Sequence, residues 1–231
     1  MQLQRPGPPP AATDVPTALR TAAGQFGHRP AISVLTPDGR QEQSYAGLLQ
    51  WASKTAHWLD LDLFVAAGQR VAVLGPVGWV SAAAALGAWW AGVEVTTDPT
   101  VEAAAAIVHE SRLDDVTGVR DVVTWGWAFD GTPTGATTVA PFTHVVQPFP
   151  DDPPFPVGAA DAIGLDGLTQ ATLLERFGGA TSLGVSADHP EATAALAAVA
   201  LRPLTSGKPT VVLAGTDHAA ADGDRVGEWL A

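Results

Sequence analysis

Residues 71–91 constrain this chain more than any other stretch. Val71-Ala-Val-Leu74 is a short, wholly apolar run of strand length, Gly75-Pro76-Val77-Gly78 turns the chain, and an Ala-rich helix follows over 79–91. The longest apolar run, Val80 to Val93, is about 14 residues, the length of a helix buried in a core and too short to span a bilayer. Val93 to Thr96 reads as a second strand, and Asp98-Pro99 as the start of another helix reaching about Ser111. Apolar strands alternating with helices predict an α/β fold with mostly parallel sheets covered by helices.

Upstream, Asp14 is placed to cap a helix ending near Gln25. Ala31 to Leu35 and the Pro37-Asp38-Gly39 turn predict a hairpin. Ser44 is placed to cap a helix that carries Leu48, Leu49, Ala52, Ala56 and Leu59 on one face. Within 112–160 the pattern is weaker: Val116 to Val123 reads as strand, Phe129 to Thr138 as loop, and Gln147 to Val157, with five prolines, as a linker. Beyond the linker the pattern restarts. Ala162-Ile163, Asp166-Gly167 and Leu173-Leu174 echo Ala31-Ile32, Asp38-Gly39 and Leu48-Leu49. At an offset of 110 residues, Ala84-Ala85-Leu86-Gly87-Ala88 lies over Ala194-Ala195-Leu196-Ala197-Ala198, and the Val71 strand over Ser182 to Val185. A strand over 210–214 and a helix from about Asp217 close the chain. The expected organisation is a flexible tail over 1–13, a first unit over 14–146, a Pro-rich linker over 147–158, and a shorter, similar unit over 159–231.

Charge removes several function classes. The net charge is −12, from 24 acidic and 12 basic residues, with only two lysines, Lys54 and Lys208. No basic stripe is available for nucleic acid, and an anionic membrane surface is disfavoured for the same reason. Without cysteine there is no disulfide framework, thiolate zinc site or cysteine nucleophile. Met1 to Ala12 lacks the apolar core of a signal peptide, so the expected location is the cytoplasm. Charged residues make up only 16% of the chain and there are eight tryptophans, which leaves room for an apolar surface facing a ligand, a protein partner or a second copy of the chain. Core filling is the favoured role of Trp89, Trp90, Trp51 and Trp58.

Arg29-Pro30-Ala31-Ile32, Asp38-Gly39, Ser44-Tyr45, Leu48-Leu49, Ala67-Gly68-Gln69-Arg70-Val71-Ala72-Val73-Leu74, Leu86-Gly87-Ala88-Trp89, Ala91-Gly92-Val93 and Asp98-Pro99 occur in that order. Over about residues 14–110 this string resembles the N-terminal region of the adenylate-forming superfamily, the AMP-binding acyl-CoA synthetases and ligases. The second unit resembles that family's second subdomain, and the Ala-, Gly- and Pro-rich composition resembles that of an actinobacterial protein. The resemblance implies two similar subdomains with mostly parallel sheets covered by helices.

The catalytic motifs do not carry over with it. The family's Ser/Thr/Gly-rich phosphate loop ends in a lysine, whereas Asp130 to Thr138, in the corresponding region, has none and a different spacing. Thr205-Ser206-Gly207-Lys208-Pro209 resembles a shortened loop of that kind but falls where a plain turn is expected. The acidic segments that hold magnesium and ribose have no match, and the mobile domain that brings the catalytic lysine is expected to be absent. No catalytic residue, metal site or cofactor is assigned, with AMP, ATP and CoA left open as ligands. The candidate ligand-facing turns are the two strand-to-helix connections, represented by Gly75 and Gly78 and by Asp188 and His189, although a tight turn and a helix cap are the favoured reading of both. Thr216, Asp217, His218, Asp222 and Asp224 are acidic or polar neighbours without a metal-ligand spacing. The leading expectation is a non-adenylating binding or partner protein. The alternatives are an enzyme handling an acyl, CoA or nucleotide group with a rebuilt site, and a structural homodimer.

Overall fold

A computed structural model describes residues 7, 9, 11–154, 156, 160–217, 221 and 226–230. Helix α1 (Val15–Phe26) starts where Asp14 accepts the Thr17 amide at 2.8 Å. The hairpin β1 (Pro30–Thr36) and β2 (Gly39–Ser44) leads into α2 (Tyr45–His57), whose first turn is capped by Ser44 accepting from Gly47 N at 3.0 Å. A π-helical turn at Trp58–Asp62 ends that helix. Then come β3 (Arg70–Leu74), α3 (Trp79–Trp90), β4 (Glu94–Thr96), β5 (Ala105–His109), a 3₁₀ turn at Glu110–Asp115, β6 (Asp121–Trp125) and the short α4 (Phe142–Val146). The remainder is β7 (Ile163–Leu165), β8 (Leu168–Thr169), α5 (Gln170–Phe177), β9 (Leu183–Ser186), α6 (Ala192–Ser206), β10 (Thr210–Leu213) and β11 (Glu228–Trp229).

The helix expected from Asp98 to Ser111 is not formed. Asp98 accepts the amide and hydroxyl of Thr100 in a local turn, and the chain enters β5 by Ala105. All five residues of β5 are buried, including both of its faces, so the apolar run Ala105 to Val108 satisfies a central strand better than an amphipathic helix. The strand expected over Val116 to Val123 forms later, at Asp121–Trp125. Of the helix expected from Asp217, residues 218–220 and 222–225 lie outside the described residues, and Glu228–Trp229 pair as a strand.

The sheets run β11-β9-β10-β1-β2 and β6-β5-β3-β4-β7-β8. Except for the two hairpins, every pairing is parallel. Each sheet draws on both stretches of chain. The early hairpin β1–β2 joins the late strand β10, and the late hairpin β7–β8 joins the early strand β4. The order hairpin, helix, strand, helix, strand thus occurs twice, and each hairpin is built into the other sheet.

Between the sheets lies one helical layer. All twelve residues of α3 are buried, and it packs against α1, α2 and α6 as well as strands of both sheets. The inward-facing Ile32 and Val34 of the first sheet share one core with Val71, Val73, Val95 and Ile107 of the second. The indole N–H groups of Trp89 and Trp90 reach carbonyls of Gly164 (2.6 Å) and Pro154 (2.8 Å), so neither ring is buried with an unmet donor. Gln170 holds the layer together from a third side, donating to Trp89 O at 2.7 Å and accepting from Val15 N at 3.0 Å. Among the described residues no helix is long and apolar enough to cross a membrane.

Gly87 sets the separation of α2 and α3. A methyl group there would collide with the Thr55 side chain and come within 2.7 Å of Ala52 O. Helix propensity alone favours alanine over glycine by about 1 kcal/mol, but forced overpacking costs about 1–3 kcal/mol. Gly87→Ala is therefore expected to lower the urea-unfolding free energy by about 1–2 kcal/mol, whereas the open-space substitution Gly24→Ala in α1 leaves it unchanged or raises it.

Candidate functional site

In parallel sheets the strand C-termini are where loops leave the scaffold and ligands are met. Here those ends, from both sheets, come together. The turn after β3 (Gly75–Gly78) meets the turn after β9 directly, with Val77 N donating to Ala187 O at 2.8 Å. The carboxylate of Asp188, on the second turn, is close enough to act on His109 at the end of β5. The structure therefore brings together Gly75, Gly78 and Asp188, three of the residues singled out in the sequence. His189 follows in the same turn, its Nδ1 accepting from Glu191 N at 3.1 Å.

The two glycines serve packing. A Cβ at Gly75, whose φ is 128°, would run into His109, and one at Gly78 would touch the Trp127 ring at 3.0 Å. The N–H of Gly78 is taken by Ser81 Oγ at 2.9 Å. Thr205–Pro209 is the C-terminal cap of α6: Gly207 adopts φ 66° and donates to Pro203 O. Thr216 bonds Leu35 O at 3.2 Å, while His218, Asp222 and Asp224 lie outside the described residues.

The residues that build the site were not visible in the sequence. His109 packs edge-on against Trp125 (centroids 4.5 Å, 74°), and Trp127 closes the cluster at 5.6 Å from His109 and 5.4 Å from Trp125. Ser111 N donates to His109 Nδ1 at 3.2 Å, so the neutral ring carries its hydrogen on Nε2. That N–H and the indole N–H of Trp125 are both buried and have no hydrogen-bond partner among the described residues. Burial pushes the His109 pKa below its ordinary 6.5, against the opposing pull of the Glu110 and Asp188 carboxylates.

Glu110 organises the loop that follows β6. Its carboxylate accepts from Thr134 N (3.0 Å), Thr134 Oγ1 (2.7 Å) and Gly135 N (2.7 Å). Burial alone would raise its pKa, but these bonds, with His109 beside it, hold it below the usual glutamate range. An acidic side chain thus fills consecutive backbone donors, those of Thr134 and Gly135, in the lysine-free stretch 130–138. Of the two lysines, Lys54 is tied to Gln147 O, Phe149 O and Asp151, and Lys208 lies beyond α6.

An open cleft of about 520 Å³ lies beside this cluster, lined by Thr36, Asp38, Gln41, Trp127, Phe129 and Thr134 among others. Gln41 is fixed by donating to Trp127 O at 2.7 Å and accepting from Trp79 Nε1 at 3.3 Å. A second hollow of about 320 Å³ shares Gln41 and Phe129 with the first and is walled by Trp51 and Trp79. Trp51, expected in the core, is only partly buried and stands 5.8 Å from Trp79. Phe129 lies between the hollows with 79% of its surface exposed.

No family model matches the chain. A Mycobacterium tuberculosis protein named as a TIGR03089 family protein is 29% identical over 137 residues, 54% of this chain and 56% of that one. Among solved structures, an acyl-CoA synthetase of Brucella canis superposes with a TM-score of 0.66 at 18% identity, over 87% of this chain and 43% of its own. A fatty acyl CoA synthetase of Mycobacterium tuberculosis gives 0.63 at 16% identity, over 93% and 48%. The fold is that of the N-terminal region of adenylate-forming ligases. The chain spans about half the length of these relatives.

A histidine whose pKa is depressed by folding leaves the unfolded chain to bind the proton first. Its neutral form therefore supports the fold fully above about pH 6.5, and that support is lost as pH falls below it. Urea-unfolding stability is expected to drop between about pH 7 and pH 5.5, and the drop should be smaller in His109→Gln. Equal drops in both proteins would mean that His109 is not the group responsible.

Proposed function

We propose that this chain is a non-adenylating protein with the ligase fold, and that it binds an uncharged small molecule with an apolar body in the cleft beside Trp127 and Phe129. The observation that carries this reading is the carboxylate of Glu110 seated on the Thr134 and Gly135 amides. Backbone donors in such a loop hold phosphate when they are free. Here they are already neutralised internally, and Asp38 and Asp188 add negative charge around the same strand ends. Adenylation needs positive charge around a triphosphate as charge builds on the leaving group. The surroundings of this cleft have the opposite sign, apart from Arg40, which is paired with Glu42.

The cleft suits an uncharged ligand. Trp127, Phe129 and Pro37 offer apolar surface, while Thr36, Gln41 and Thr134 offer a few polar atoms for orientation. The likeness to acyl-CoA and fatty-acyl ligases supports an acyl-like body for the ligand, with the head group left to the polar atoms of this cleft.

The test pairs activity with binding. With ATP, magnesium and fatty acids, the protein is expected to give no pyrophosphate exchange. ATP, AMP and CoA should leave its melting temperature unchanged, where a ligand at 100 times its dissociation constant adds about 2.7 kcal/mol. In NMR titrations, hexanamide should move the Trp127 indole signal, and Phe129→Ala should weaken that response without lowering stability, because the ring is exposed. Exchange activity, or a shift with ATP or AMP, would overturn the reading. Glu110→Ala is expected to gain stabilisation by inorganic phosphate that the parent chain lacks, since it vacates the Thr134 and Gly135 donors.

A further inference from the structure

A pocket of about 510 Å³ on the other side of the β1–β2 hairpin carries a different charge pattern. The protein has net charge −12, so its cations should find carboxylates easily. Six of the basic residues do: Arg40, Lys54, Arg70, Arg112, Arg120 and Arg202 each make an ion pair. Arg20 lies over the Trp90 ring and Arg176 over Phe177. Among the described residues only Arg29 and Lys208 have neither an ion pair nor a ring beneath the cation; both line this one pocket, where Arg29 also acts on the Tyr45 hydroxyl.

The pocket floor and walls are built. Phe26 and Tyr45 pack at 5.0 Å, and the Tyr45 hydroxyl donates to Pro203 O at 3.2 Å. Pro30 and Pro209 complete an apolar rim. On β1, the Ser33 hydroxyl is buried; it donates to Glu42 and accepts from Arg40, each at 3.1 Å, so that pair is internally balanced. Lys208 Nζ reaches Ala180 O at 3.1 Å, which orients the ammonium without neutralising it. The pocket lies past the C-terminal ends of α1 and α6, whose dipoles present about half a negative charge each. That is less than the two full positive charges of Arg29 and Lys208.

We infer that this pocket is a binding site for a small organic anion, an oxyanion head held between Arg29 and Lys208 with an apolar body against Phe26, Tyr45 and the two prolines. The site is separate from the cleft of the proposed function and does not depend on it. A carboxylate and a phosphate monoester share the required chemistry: both accept charge-assisted hydrogen bonds from a guanidinium and an ammonium.

The test is an NMR titration of the full chain with phenyl phosphate, benzoate and phenol. Phenyl phosphate or benzoate should shift the amides of Ser33, Gly207 and Lys208, and the tighter of the two identifies the head group. Arg29→Gln and Lys208→Gln should each weaken that anion about tenfold, and added salt should weaken it further. Arg120→Gln, at an exposed arginine paired with Asp121, should leave it unchanged. Thermal melts check that each variant is folded, and two variants guard against one that is not. The inference is overturned if neither anion moves these amides, if phenol binds as tightly as the anions, or if Arg120→Gln weakens binding as much as Arg29→Gln.

Discussion

The architecture depends on a helix with no polar face. Residues 79–90 present Ala, Gly, Leu, Val, Ser and Trp in every direction, and all are buried. A helix of this kind is stable only where apolar surface surrounds it, so a single sheet with one solvated helical side cannot satisfy it. Two sheets with a shared helical layer can. The close approach at Gly87, the indole bonds of Trp89 and Trp90, and the clamp made by Gln170 all fix α3 in that layer.

Placing α3 between the sheets also positions the site. Because α3 follows β3 through a short turn, Gly75–Gly78 is held at the strand end nearest the other sheet, where Val77 bonds Ala187. The exchange of hairpins brings β1 and β10 alongside each other, so the β1–β2 turn and the residue after β10 line the same cleft as Trp127. The core and the cleft therefore follow from one packing solution.

A shared fold with adenylate-forming ligases does not by itself convey their chemistry. The difference we propose is electrostatic. Where a phosphate-binding loop keeps its donors free for an anionic ligand, this chain seats its own Glu110 on Thr134 and Gly135. Among the described residues, the cations with neither an ion pair nor a ring beneath them, Arg29 and Lys208, lie elsewhere. Two regions of opposite character are thus separated by the β1–β2 hairpin, with Arg40 bordering both.

Local signals determined the helices capped by Asp14 and Ser44, the hairpin at Pro37-Asp38-Gly39, the strands at 71–74 and 210–213 and the apolar helix between the layers. In each of these the information lies within a few residues, as caps, turn residues and apolar periodicity. In the segment 98–111, Asp-Pro looks like a helix start, yet Asp98 closes only a local turn on Thr100 and the chain continues into β5. Whether Ala105 to Val108 becomes helix or strand is decided by the vacant position beside β3, which no local pattern encodes. The exchange of hairpins between sheets and the meeting of His109, Glu110, Trp125 and Thr134 were likewise decided only by tertiary structure. These residues are neighbours because strands distant in sequence end at the same level, and the hydrogen bond from Thr134 to Glu110 spans 24 residues of chain. The sequence by itself thus determined the elements that carry their own caps, turns and periodicity, and the need to bury α3 on all sides, whereas tertiary packing decided the fate of Ala105 to Val108 and which charges face one another.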